Sequence, residues 1–381
     1  YALAEHDIKR LLAYHTVENV GIILMGVGVG MVGIATDHPV MAAIGLLGGL
    51  YHLLNHAVFK GLLFLGAGAV MYRVHTKDME LMGGLAKVMP YTAITFLIGT
   101  MAISALPPLN GFVSEWFTYQ ALFSLSNEGS SLMHLAGPIA IVMLAITGAL
   151  AALCFVKVYG VSFCGAPRTE KAANATEVPR TMIIGMVSLA AICVLLGLGA
   201  PVVAPIISGV ATQLAHLAPM SVAMGDAVYP GDNATTVLSS PLIAVLLIGL
   251  FSLPFFIYSA LRGSRLSHRK RGNPWACGYG YEKDMAVSAG GFTQPIRTMF
   301  APLYKIRQTL SPAPAMDKGM KSLISGATRA EPWWETKVIM PIVHFVLWLG
   351  KRIQCLQHGD FRVYCLYIVI ALTVLMLVTV I

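Results

Sequence analysis

Apolar residues run in long blocks along this chain, and polar residues collect in the short gaps between them. Blocks near 14–35, 43–71, 135–163, 181–200, 241–261 and 362–381 are each long enough for a helix to cross a hydrocarbon layer of about 30 Å. Another block, 88–126, is too long for one ideal span and carries Pro107, Pro108 and Gly111 in its middle. Loop charge decides how it crosses, because Lys and Arg favour cytoplasmic loops. Lys9 and Arg10, then Arg73, Lys77 and Lys87, then Arg168, Lys171 and Arg180, and the run RGSRLSHRKR at 262–271 mark cytoplasmic flanks. Segments 36–42, 127–134 and 201–240 contain no Lys or Arg and belong outside. These assignments alternate only if 88–126 crosses once, as a helix broken near Pro107, Pro108 and Gly111. The alternative is a pair of helices joined by a tight turn.

Residues 262–330 are polar, basic and rich in Gly, Pro and Ser, which predicts a cytoplasmic loop region. Over 331–358, Trp334, Val338, Ile342, Phe345, Leu349, Ile353 and Leu356 recur at helical spacing with Lys337, Lys351 and Arg352 near the ends. That pattern predicts a lateral amphipathic helix on the membrane surface, kinked or starting late at Pro341, with an ordinary tilted span as the alternative. Residues 359–381 then supply a C-terminal transmembrane anchor. Upstream, 166–261 holds additional transmembrane helices.

Composition agrees with a membrane bundle: 56% of residues are hydrophobic and 12% charged, and mean hydropathy is +0.72. The fold class is therefore all-α, a polytopic transmembrane helix bundle. The net charge of +8 comes from short loops between spans, where it orients the chain, and this argues against a nucleic-acid partner. The cysteines at 154, 164, 193, 277, 355 and 365 stand singly, without CxxC pairs, and encode no zinc or iron–sulfur site. CGYGYEKD lacks the third glycine and preceding strand of a dinucleotide site. The chain begins at Tyr1, without Met or a signal segment, and reads as the C-terminal part of a longer protein.

Ionisable residues inside hydrocarbon are expensive and usually face a bundle interior or a water-filled path. In YHLLNHAVFKGLLFL, His52, His56 and Lys60 fall at i, i+4 and i+8 with Asn55 beside them, forming one polar stripe. A Lys at mid-membrane tends to lose its proton, and His titrates near neutrality, so such a stripe can move protons. Glu115 follows the break, where the dipole of a second half-helix would favour a carboxylate, or where it is only a cap acid. Lys157 either partners Glu115 or snorkels to the interface. Asp7 and Lys9 are either a polar gate before the first span or plain loop charges.

The stretches DIKRLLAYHTVENVG, HLLNHAVFKGLLFLGAGAV, MGGLAKVMP and ALPPLNGFVSEW resemble, in order over roughly the first 165 residues, the antiporter-like subunits of respiratory complex I and of Mrp sodium/proton antiporters. The resemblance implies two inverted repeats per subunit, each with a broken helix, and a mid-membrane path of Lys, His and Glu. Residues 1–165 would be most of the second repeat, and the first-repeat Glu and Lys pair would lie upstream or in another chain. On this resemblance Glu115 matches the charged residue of the second broken helix, His52, His56 and Lys60 match the connecting stripe, and Asp7 with Lys9 match the polar step near the first span.

The segment NPWACGYGYEKDMAVSAGGFTQPIRTMFAPLY is similar to the large membrane subunits of energy-converting nickel–iron hydrogenases of the hydrogenase-4 and formate hydrogenlyase type. That resemblance implies a non-catalytic, proton-translocating subunit in the cytoplasmic membrane of a prokaryote. Its partners would be other membrane subunits, the hydrogenase peripheral-arm subunits and the missing N-terminal half. No cofactor would sit in this chain, and the nickel–iron and iron–sulfur centres would sit on partners. A complex I or Mrp-type subunit is the alternative assembly, and a structural anchor with an unused channel is the alternative of a different class.

Overall fold

The computed structural model describes residues 1–127, 130–231, 236–262, 278–279, 285, 287–302, 325, 333, 335–354 and 370. These residues fall in two compact units, Tyr1–Phe300 and Ala301–Ile381. The expected anchor at 359–381, apart from Ile370, and most of the loop at 262–330 lie outside the described residues.

In the first unit, α1 (Ile8–Ala35) begins where the Asp7 side chain accepts the backbone N–H groups of Lys9 and Arg10, a side-chain cap for otherwise unpaired donors. Helix α2 (Pro39–Val74) has Pro39 in its first turn and ends at His75 in the left-handed region. Its 36 residues extend about 54 Å at 1.5 Å per residue. It is the axis of the bundle and packs against α1, α4 (Pro90–Ile103), α5 (Asn110–Asn127), α8 (Arg180–Leu198) and α9 (Ala200–Leu214).

The seam between α1 and α2 is made of small residues. A Cβ added to Gly26 would lie 2.7 Å from the backbone nitrogen of Gly49, and one added to Gly45 would lie 2.5 Å from that of Gly30. Burial of apolar surface does not drive two helices together in lipid, so close backbone approach and its dispersion contacts must hold this pair.

The segment 88–126 runs one way along α2, as a single broken crossing would. Helix α4 stops at Ile103 and α5 starts at Asn110, and between them the Pro107–Pro108 peptide is cis and Ala105 has φ 49°. Contacts along α2 then run in one direction. Phe96 covers Gly66, Gly99 sits on Leu63, Asn110 meets Asn55, Ser114 meets His52, and Thr118 lies against Gly48. Rising numbers on α4 and α5 pair with falling numbers on α2, which a hairpin would reverse midway. The two half-helices also barely touch each other.

Gly111, expected in the break, instead lies in the first turn of α5 against the Ala102 carbonyl, where a Cβ would collide. Helix α8 seats on the break: the Tyr51 hydroxyl donates to the Leu196 carbonyl at 2.6 Å, and a Cβ on Gly197 would lie 2.7 Å from the Leu109 carbonyl carbon. The irregular backbone is thus covered by protein, as membrane depth demands. Cysteines introduced at Lys77 and Ser130, in loops at opposite ends of this crossing, are expected to label from opposite membrane faces. Labelling of both from one face would refute the single crossing.

Helices α6 (Ser131–Phe163) and α10 (Ser240–Arg262) complete the long elements, and the short helices α3 (Leu85–Val88) and α7 (Glu170–Ala173) lie between longer ones. Among the described residues, five helices are long and apolar enough to cross a membrane, besides the broken crossing. Two segments depart from expectation. The region 201–240, expected outside, contains α9, a 15-residue helix whose Ala200, Ala204, Ser208 and Ala211 are buried, followed by a hairpin of β1 (Ala223–Met224) and β2 (Ala227–Val228) in antiparallel register. Absence of Lys and Arg tells the side of a segment, and leaves open whether it folds against the bundle.

The region 262–330, expected as loop, contains α11 (Ala289–Met299), capped by Ser288. It is fastened to the loops of the first unit: Gly290 N–H donates to Glu80 at 2.9 Å, and Arg168 donates to the Val287 carbonyl at 2.8 Å. In the second unit, a π-helical turn (Glu335–Ile339) leads into α12 (Met340–Gln354), which has Pro341 in its first turn. Phe345 and Trp348 stack on its surface with centroids 6.0 Å apart.

Candidate functional site

Two apolar cores divide the first unit. One is built on Ile8, Leu11 and Leu12 of α1 and on α2 from Phe59 to Val74. The other is built on Ile22 and Val29 of α1, Met41 to Tyr51 of α2, and Val113, Phe117 and Ala121 of α5. Between them lies a polar layer of His15 and Asn19 from α1, His52 and Asn55 from α2, and Asn110 and Ser114 at the start of α5, all buried.

Hydrogen bonds join the layer across three elements. The Asn19 amide nitrogen donates to the His15 carbonyl at 2.7 Å, which turns Asn19 Oδ1 toward His52 Nε2 at 3.1 Å. A carbonyl oxygen only accepts, so Nε2 carries the proton of neutral His52. His52 Nδ1 then faces Ser114 Oγ at 3.0 Å. That hydroxyl also reaches the Asn110 and Gly111 carbonyls, so it either donates to His52 or, when Nδ1 is protonated, accepts from it and donates to the backbone. Asn55 donates to the Asn110 carbonyl at 2.8 Å, and Asn110 returns a bond to Asn55 Oδ1 at 3.2 Å. The stripe on α2 is therefore locked onto the break itself.

Lys60 is buried one turn beyond His56 and donates to the Leu12 carbonyl. His56 is half-buried against Phe59, and among the described residues its Nε2 finds no hydrogen-bond partner. Glu115 is 7% exposed. It lies past the first turn of α5, which contains no acidic residue, so the helix-end dipole that would favour its charge is not available there.

Lys157 is fully buried and does not snorkel: its ammonium donates to the Leu3 and Glu5 carbonyls, both at 2.7 Å. Among the described residues neither Lys157 nor Lys60 forms an ion pair with Glu115. Asp7 is occupied as the α1 cap and bridges to Asp78, and Lys9 stands beside it, half-buried. The structure thus brings His52 and the foot of α5 to one layer, sets Lys60 two turns further along α2 against Leu12, and leaves Asp7, Lys9 and Lys157 at the end of the bundle.

The sequence reading passed over His15, Glu18 and Asn19. Their spacing, i, i+3 and i+4 inside an apolar span, puts them on one helix face, and that was the available signal. Among the described residues no group of three or more His, Cys, Asp or Glu side chains is placed to hold a metal ion, and Cys154, Cys164 and Cys193 are free thiols.

Residues 1–143 match the family described as NADH:quinone oxidoreductase/Mrp antiporter, transmembrane. The polar layer, built on α1, α2 and α5, falls entirely within the matched stretch. Over 377 residues the chain is 54% identical to hydrogenase-4 component B of Escherichia coli (strain K12), covering 99% of this chain and 56% of that protein. It is 50% identical over 312 residues to formate hydrogenlyase subunit 3 of the same strain, covering 82% of this chain and 49% of the relative. The chain spans about half the length of the curated relatives it matches. Its fold is similar to a chain in the archaeal membrane-bound sulfane sulfur reductase, with a TM-score of 0.62 at 20% identity, covering 98% of this chain and 53% of that one.

Proposed function

We propose that this chain forms the second antiporter-type half of a proton-translocating subunit in an energy-converting nickel–iron hydrogenase of the hydrogenase-4 or formate hydrogenlyase type. The observation that carries the transport reading is the buried polar layer between two apolar cores, tied to the broken helix through His52, Asn55 and Asn110. Polar groups at such depth are retained where an ion passes. The antiporter family match ends at residue 143 and is shared by complex I and Mrp subunits. The 54% identity to a hydrogenase component runs on through 99% of the chain, and this favours the hydrogenase over those assemblies.

In this reading the protein resides in the cytoplasmic membrane of a prokaryote, with the Lys- and Arg-bearing loops inside. Neighbouring membrane subunits, the N-terminal half of the same subunit and the peripheral arm are its partners. Nickel–iron and iron–sulfur centres belong to the peripheral arm. The role of this chain is to hold and move protons at Lys60, His52, His56 and Glu115.

The test is hydrogen-linked turnover of the intact complex in sealed vesicles. Turnover is expected to drive an internal pH change that an uncoupler collapses and that does not require sodium. A sodium requirement would shift the reading to an Mrp-type exchange. Full turnover with no pH change would leave only the anchor.

A further inference from the structure

Two contacts fix how α1 lies along α2. Lys60 meets the Leu12 carbonyl, and His52 meets Asn19. These antiparallel pins place the turn His15 to Glu18 opposite His56, between the level of Lys60 and the level of His52. His15 is 2% exposed, its ring lies tilted against Phe155 with centroids 4.7 Å apart, and its Nδ1 is hydrogen-bonded to Glu18 Oε2. Among the described residues His15 Nε2 is buried without a partner, as is His56 Nε2 at the same level.

No ion pair joins Lys60 to Glu115 among the described residues. Asn19 and Ser114, the chain neighbours of Glu18 and Glu115, both bond to His52, so Glu18 stands between the level of Lys60 and that of Glu115. Buried groups of this kind are rarely left unpaired unless a proton, water or ion uses the position.

Resting on the proton-translocation reading above, we propose that Glu18 is a proton-carrying residue linking Lys60 on α2 to Glu115 on α5, with His15 as the residue that positions it. In the first transfer the Lys60 ammonium loses one proton to the Glu18 carboxylate, leaving an amine and a carboxylic acid. In the second, Glu18 gives that proton to the Glu115 carboxylate and is again ionised. Each transfer breaks one N–H or O–H bond, forms one O–H bond and keeps the summed charge of its pair. Asn19 is not a carrier, because an amide neither gains nor loses a proton here. It holds His52 in one tautomer and closes the layer beside the path.

The experiment compares the assembled complex carrying Glu18→Gln, Glu18→Asp, His15→Asn or His15→Phe in sealed vesicles, with hydrogen-linked turnover measured alongside proton uptake. Glu18→Gln is expected to lower protons moved per turnover at least about tenfold, the scale of losing a positioned acid–base group, while Glu18→Asp retains a measurable part. His15→Asn keeps a donor near the place of Nδ1 and is expected to retain uptake, whereas His15→Phe, which preserves the stacking surface, is expected to lose it.

Wild-type uptake in Glu18→Gln, together with loss in Lys60→Met, would overturn the role of Glu18 and leave the transport reading standing. Wild-type uptake in both would overturn the transport reading itself. A second measurement uses the unaltered complex, treated with a hydrophobic carbodiimide and mapped by mass spectrometry. Labelling of Glu18 that parallels loss of uptake is expected, because carbodiimides modify carboxyls that carry a proton in apolar surroundings. Labelling at Glu115 with none at Glu18 would overturn the proposal even if Glu18→Gln failed to assemble.

Discussion

Lys60→Met and Glu115→Gln are each expected to leave the complex assembled and its hydrogen chemistry running while protons moved per turnover fall at least about tenfold. Both replacements keep the volume of the buried side chain and remove only its ability to bind and release a proton. Met is tolerated where Lys60 packs because the stem lies in an apolar core that includes Leu11, Leu12 and Cys154, and the Leu12 carbonyl loses only its contact with the ammonium. Lys60→Arg is expected not to restore uptake, since a guanidinium stays charged. Changes at His52 and His56 are expected to be milder, because water can take the place of an imidazole next to Ser114. The measurement is proton uptake per hydrogen turnover in vesicles holding purified, assembled complex. Wild-type coupling in both Lys60→Met and Glu115→Gln would remove these residues from the path.

How far the bundle was legible follows from which forces act locally. The break between Ile103 and Asn110 could be read because prolines remove backbone donors wherever they occur. The stripe His52, His56 and Lys60 could be read because helical periodicity alone puts it on one face. Helix α9 was hidden by its length, too short to span, and by a burial that arises only from packing against α2, α8 and the β1–β2 hairpin. Helix α11 was hidden because its anchors, Glu80 and Arg168, are distant in the chain.

The same limit applied to the site. His15 and Glu18 look like scattered polar residues until the Leu12 and Asn19 contacts set α1 against α2. Glu115 looked like a helix-end acid because the start of α5 was placed too late. Asn110, not Glu115, opens that helix.

Lys157→Met is expected to release the N-terminal segment from the bundle. Lys157 is fully buried on α6, and its ammonium ties down the Leu3 and Glu5 carbonyls at 2.7 Å. Arg297 of α11 reaches the carbonyl between them, Ala4, at 3.4 Å. These three oxygens end a 3-10 turn whose carbonyls have few other partners, and cations are the natural groups to satisfy them. Met fills the volume but leaves the buried Leu3 carbonyl unpaired, at about 1–3 kcal/mol, and the part-buried Glu5 carbonyl without its cation.

The same turn supports Asp7 and the start of α1, which pairs with the 77–79 segment through Ile8 to Lys77 and Met79 to His6. Loss of Lys157 therefore loosens the end of the helix that carries His15 and Glu18. Hydrogen exchange at residues 2–8 is expected to rise by an order of magnitude or more, as an opening free energy falls by about 2 kcal/mol, while exchange in α2 stays protected. A Lys157 that snorkelled to the interface would show no such change, and unaltered exchange at residues 2–8 in Lys157→Met would assign it to the surface.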